Sequence, residues 1–227
     1  MKLLKDLNIN PKRISLYETA LTHTSYANEE GATSYERLEY LGDAVLELLM
    51  SEYLYLNTEY EEGIMTKMRS HYVCENALYE YSLLLKINDY LLLGKGESES
   101  GGKYRKTIVA DIFEAFIGAL YLDQGIDFVR SFLKKHIFPL IENKEIEFFN
   151  DYKSVLQEYV QTDKRSLSYQ VIKEEGPAHN KSFTVTVKID DIVYGTGSAH
   201  SKKEAEQEAA KDALKKSQDG HNLNREE

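Results

Sequence analysis

The chain has 227 residues, a hydrophobic fraction of 42% and 17 tyrosines, a composition that fits a soluble globular protein and excludes a disordered one. Its 28 basic and 38 acidic residues give a formal net charge of −10, which on its own argues against a nucleic-acid partner. The single cysteine, Cys74, excludes a disulfide framework and points to a reducing cytoplasm. No apolar run reaches the roughly 18 residues of a membrane span, and the start Met1-Lys-Leu-Leu-Lys-Asp6 lacks the core of a signal peptide.

The length allows one large domain or two unequal ones. Residues 1–150 carry 16 basic and 24 acidic residues, whereas residues 151–216 carry 11 of each. The acid excess therefore lies mainly in the N-terminal part, and the second part is neutral overall, so any binding of a polyanion there would need a local basic face, not bulk charge.

Along residues 1–140, apolar positions recur at helical spacing through 36–56, 66–92 and 107–122, and Pro139 closes the last strong helical pattern. Residues 141–151 are charged and read as a connector. Asp151–Thr162 reads as an amphipathic helix. Segments 167–174, 182–189 and 192–199 have the alternating, β-branched character of strands, with Asp190-Asp191 as a hairpin turn. Ser201-Lys-Lys-Glu204 is a capping box that opens an Ala-rich helix to about Ser217, and a polar tail follows. The predicted fold class is thus an all-α N-terminal domain and a C-terminal α+β module of order α-β-β-β-α.

Two acidic segments stand out. On a helix at about 100° per residue, Glu36, Glu39 and Asp43 fall within about 60° of one another, while Leu38, Leu41, Val45, Leu48 and Leu49 cover the opposite side. That spacing alone also describes an ordinary solvated face. The second segment sharpens the reading: the stretch from Ile108 to Leu122 is apolar nearly all round, so its helix should be buried, yet Asp111 and Glu114 share one face at i and i+3. Adjacent buried carboxylates are costly unless a cation sits between them, and hard oxygen ligands suit Mg²⁺, with Mn²⁺ able to substitute. No Glu-x-x-His pair occurs, which removes a di-iron bundle from consideration.

The stretch Glu36-Arg-Leu-Glu-Tyr-Leu-Gly-Asp-Ala44 resembles the nine-residue signature of the ribonuclease III family. His23-Thr-Ser-Tyr26, Glu62-Gly-Ile-Met-Thr-Lys-Met-Arg69, Leu93-Gly-Lys-Gly-Glu97 with Ser100-Gly-Gly102, and Ile108–Gly118 resemble further motifs in the family's order. The resemblance covers about residues 5–217. It implies an endonuclease domain over 1–142, a linker at 143–150, a double-stranded-RNA-binding domain over 151–217 and a tail at 218–227. It further implies that Glu39, Asp43, Asp111 and Glu114 bind metal, with Asp43 and Glu114 catalytic, and that Glu36 and Glu62 assist. Ile64 departs from the polar or acidic residue frequent in relatives. His23 reads as a hydrogen-bonded structural histidine, and the Gly-rich loop 94–106 offers Lys103, Arg105 and Lys106 as candidates for phosphate contact or as an ordinary flexible loop.

The C-terminal module resembles the double-stranded-RNA-binding domain through Leu156–Gln161, Gly176-Pro-Ala-His179, Gly195-Thr-Gly-Ser198 and Ser201–Ala210. On that resemblance, Gln157, Glu158 and Gln161 would meet ribose hydroxyls in one minor groove. His179 would reach a second, and Lys202 and Lys203 would take the phosphates between. The implied activity is hydrolysis of duplex RNA by metal-activated water, in processing of ribosomal precursor and structured messenger RNA. The products would carry 5′-phosphate and 3′-hydroxyl ends with short 3′ overhangs. The staggered cut implies a homodimer in the cytoplasm, without membrane association. The rival reading is a protein that binds duplex RNA without cutting it.

Overall fold

The structure is a computed structural model and describes residues 1–142, 152–162, 164–175 and 181–222. The predicted linker 143–150, the loop carrying His179 and the end of the tail lie outside the described residues. The chain divides into two compact units, Met1–Glu52 with Tyr72–Asn143 and Tyr53–His71 with Lys144–Glu227.

The first unit is helical. It contains α1 (Lys2–Asp6), α2 (Ile14–Ala20), α3 (Thr24–Glu30), most of α4 (Glu36–Asn57), α6 (Glu75–Leu84), α7 (Lys95–Glu99), α8 (Lys106–Gln124), α9 (Ile126–His136) and α10 (Phe138–Glu142); α5 (Glu62–Tyr72) belongs largely to the second unit. The single helical pattern read over 66–92 resolves into separate pieces. One break falls at Val73-Cys74, and another at Lys86, whose backbone is left-handed (φ 56°). The strong pattern of α9 ends at His136, with C-cap Ile137 two residues before Pro139, and Pro139 itself lies in the first turn of the short α10, where its missing N–H costs nothing.

The core of this unit is α8. Val109, Ile112, Phe113, Ala115, Phe116, Ile117, Ala119 and Leu120 are fully buried, as the all-round apolar pattern requires. Phe113 packs against Tyr81 and Phe116 against Tyr17, with ring centroids 5.5 and 5.7 Å apart. At the end of α8, Asp123 is only 5% exposed. Its carboxylate accepts the amides of Lys12 (3.1 Å) and Arg13 (2.7 Å), the Tyr17 hydroxyl (2.9 Å) and the Gln124 side-chain amide (2.7 Å). Burial alone would raise its pKa, but these four donors together hold it below the usual carboxylate range.

The decisive contact for the site is where α4 crosses α8. A Cβ added to Gly42 would run into the Glu114 carbonyl and come within 2.9 Å of the Gly118 amide nitrogen; one added to Gly118 would strike the Leu38 carbonyl. The helices meet backbone to backbone, which only glycine permits. On the flank of α4, Leu48 is 59% exposed, not on the packed side where helical spacing had put it.

The second unit holds α11 (Tyr152–Thr162), β1 (Leu167–Glu175), β2 (Ser182–Ile189), β3 (Ile192–Ala199) and α12 (Lys202–Asn222). The strands form an antiparallel sheet in the order β1-β2-β3. Asp190 and Asp191 both have positive φ (49° and 66°), as the tight β2–β3 hairpin demands. Val185, Val187 and Ile189 of β2 face a core shared with Val155, Leu156 and Val160 of α11 and Ala205, Ala209, Ala210, Ala213 and Leu214 of α12. Gly195 and Gly197 let β3 lie directly on the α12 backbone. The predicted capping serine accepts the Glu204 amide at 3.2 Å. The helix then runs on to Asn222, past the expected stop and through Gly220.

The crossing predicts that Gly42→Ala destabilises the nuclease unit by about 3 kcal/mol or more through backbone overpacking. Gly96→Ala, where nothing lies near the added methyl, should be close to neutral. Thermal denaturation of the two variants measures the contrast.

Candidate metal centre and nucleic-acid interface

The α4–α8 crossing brings carboxylates from two helices together. One oxygen each from Glu39, Asp111 and Glu114 lie within 4.8 Å of one another, and all three side chains are half-buried. Asp43, one turn beyond Glu39, is exposed and falls outside that tight trio, yet its negative charge acts on both Glu39 and Glu114. Glu36 lies at the start of α4, accepts the Ser34 hydroxyl at 2.8 Å and also acts on Glu39. Glu62 opens α5 in the other unit, where it accepts the Thr66 hydroxyl at 3.1 Å. Ile64, the departure noted in the sequence, is fully buried and serves packing.

Electrostatically the trio is uncompensated. Burial, followed by the charges of Asp111, Glu36 and Asp43, pushes Glu39 up to about 7. Burial, followed by Asp43, Glu39 and Asp111, pushes Glu114 up to about 8. Asp111 is also raised by burial, though a hydrogen bond from Tyr35 opposes the rise. Among the described residues no lysine or arginine pairs with any of the three. Three converging, half-buried carboxylate oxygens that repel one another and lack a counter-charge fit a divalent, oxygen-preferring cation.

In the second unit, α11 buries Val155, Leu156 and Val160 and turns Gln157, Glu158 and Gln161 to solvent; Glu158 also forms an exposed ion pair with Lys67 at 3.5 Å. Lys202 and Lys203 are exposed in the first turn of α12, with the Lys202 ammonium over the Phe183 ring at 5.4 Å. That placement puts two cations beside the free amides of a helix start, which together attract an anion.

Comparison with known proteins is decisive. Residues 13–141 match the family model described as Ribonuclease-III-like, and residues 152–217 match the Double-stranded RNA binding motif. Ribonuclease 3 of Oceanobacillus iheyensis is 48% identical over 217 residues, covering 93% of this chain and 95% of that one. The chain belongs to the ribonuclease III family. Ribonuclease 3 of Streptococcus pyogenes serotype M3 is likewise 48% identical over 224 residues, 94% of this chain and 97% of the relative. The nuclease domain of ribonuclease III from Campylobacter jejuni, a structure described for flexibility in its dimer-forming region, superposes with a TM-score of 0.56. It is 35% identical and covers 60% of this chain and 94% of that one.

In this chain the candidate loop cations Lys103, Arg105 and Lys106 are committed to internal contacts. Lys103 pairs with Asp89 at 3.1 Å, Arg105 with Glu97 at 2.7 Å, and Lys106 reaches Asn76 at 2.7 Å. The loop is therefore tied down, and phosphate contact there would have to break existing pairs. His23 is the N-cap of α3, its Nδ1 accepting the Ser25 amide at 3.1 Å, in keeping with the structural role read from the sequence. Sequence reasoning missed Tyr35, whose hydroxyl reaches Asp111; a tyrosine before a helix carries no periodic signal of such a contact.

Glu39 and Glu114 bind protons more tightly folded than unfolded, where the carboxylate value is 4.5. Their stabilising contribution is full below about 4.5 and is lost as pH rises towards about 7 and 8. The protein in chelator should therefore lose melting temperature between about pH 5 and 8.5, and an added divalent cation that the trio binds should restore it most at the upper end. Scanning fluorimetry in chelator and in Mg²⁺ would detect this, and a flat, metal-insensitive profile would contradict the charge balance described.

Proposed function

We propose that this chain is a double-stranded-RNA endoribonuclease that hydrolyses phosphodiester bonds of ribosomal precursor and structured messenger RNA in the cytoplasm. It would leave 5′-phosphate and 3′-hydroxyl ends with short 3′ overhangs. The observation that carries this reading is the convergence of Glu39, Asp111 and Glu114 in a chain whose remainder matches a duplex-RNA-binding motif. The proposed division is a nuclease domain over 1–142, a linker at 143–150, an RNA-binding domain over 151–217 and a tail beyond.

In this reading Glu39, Asp43, Asp111 and Glu114 hold Mg²⁺, or Mn²⁺ in its place, and Glu36 and Glu62 support them. The cation would supply Lewis acidity to the scissile phosphate and to water. The chain's own part is to fix the carboxylates on two helices that touch through glycine, and to give up the protons of Glu39 and Glu114 when the cation arrives. Gln157, Glu158, Gln161 and His179 would follow the minor grooves, and Lys202 and Lys203 the phosphates between. A homodimer would place two such centres on one duplex. Support for it comes from Tyr40 (83% exposed) and Leu48, about two turns further along α4, exposed apolar side chains that a second copy would cover.

Glu114→Gln should lower cleavage of labelled duplex RNA in Mg²⁺ by about a hundredfold or more, while duplex affinity stays within about threefold. Normal turnover by this variant would refute the metal assignment, and intact substrate with the unmutated chain would indicate a protein that only binds. Lys202→Ala combined with Lys203→Ala should weaken binding to all duplex sequences alike and reduce the salt slope by about 2. Loss confined to certain sequences would count against phosphate contact.

A further inference from the structure

We propose that Tyr35 is a positioning residue that orients Asp111 towards the metal; the inference rests on the metal site proposed above. Tyr35 precedes α4 and is 4% exposed. Its hydroxyl donates to Asp111 Oδ2 at 3.1 Å. Its own carbonyl accepts the amides of Leu38 (2.8 Å) and Glu39 (3.0 Å), and its amide donates to the Thr22 carbonyl at 2.9 Å. One residue thus caps the start of the helix that carries Glu39 and grips the carboxylate carried by α8.

The ring that makes this reach is itself fixed. The His23 imidazole packs on it with ring centroids 5.7 Å apart. His23 Nδ1 is occupied by the Ser25 amide, and the Ser25 hydroxyl accepts the Gly94 amide at 2.9 Å. The motif around His23, otherwise without a task in the proposed reaction, thereby backs the metal site.

The chemistry favours orientation over simple packing. A carboxylate with one oxygen held by a phenol presents the other outward and keeps one rotamer, so less freedom is lost when it binds a cation. Among the described residues the carboxylates of Glu39 and Glu114 have no such hydrogen-bond donor. Asp111 is thus the one member of the trio held in a set direction before a cation binds.

Tyr35→Phe keeps the ring and removes the hydroxyl. Titration calorimetry of the full chain with Mn²⁺, without RNA, should show about tenfold weaker binding. Melting temperature should change little, and Asp111→Asn should weaken binding at least as much. Adding Tyr35→Phe to Asp111→Asn should cost nothing further, because the two act through one contact. If Asp111→Asn weakens Mn²⁺ binding and Tyr35→Phe does not, the positioning role falls while the metal site stands. If Asp111→Asn itself leaves Mn²⁺ affinity unchanged, the metal-site reading falls. Should Tyr35→Phe melt early, the unmutated chain labelled with 3-fluorotyrosine provides the test. The Tyr35 resonance should move on Mg²⁺ titration and stay still in Asp111→Asn; a resonance blind to Mg²⁺ in the unmutated chain overturns the proposal.

Discussion

The first unit depends on two glycines. Gly42 and Gly118 let α4 and α8 touch backbone to backbone, and everything at the acidic centre follows from that distance. With any side chain between them the helices would stand further apart, and carboxylates rooted on different helices could not share a volume small enough for one ion. The carboxylates supply the chemistry, but the glycines decide whether they meet.

Burying like charges together has an energetic cost: burial first, and the neighbouring carboxylates after it, push Glu39 and Glu114 above the ordinary carboxylate range. Among the described residues no arginine or lysine pairs with the trio to quench the repulsion, although such pairs occur elsewhere, as between Arg130 and Glu52. A built-in counter-charge would have stabilised the empty protein and competed with a cation. The folded state instead keeps its strain where a ligand can relieve it.

Much of this was legible in the amino-acid pattern because the signals are local. Asp111 and Glu114 are conspicuous on an apolar helix, Asp190-Asp191 is a hairpin turn by chemistry, and all three strands start where alternation predicts. What could not be read depends on long-range packing. Periodicity counts Leu48 as core, since a helix wheel does not reveal which flank another element covers. The left-handed turn at Lys86 has no glycine to announce it. Lys103 and Arg105 look like free cations until their acidic partners are folded against them. Tyr35 finds Asp111 across 76 residues of sequence, and no spacing rule reaches that far.

Asp123 raises a question of timing. The amides of Lys12 and Arg13 that it satisfies lie 111 and 110 residues earlier in the chain. At ribosomal speeds of roughly 5–20 residues per second, Arg13 is made about 6–22 s before its carboxylate partner. During that interval the N-terminal helices have no anchor and leave apolar residues such as Tyr17 uncovered. Co-translational folding of this unit therefore cannot proceed strictly from the first residue onward. It must wait for α8, whose synthesis supplies in one stretch the core, the second pair of carboxylates and the clasp for the beginning of the chain.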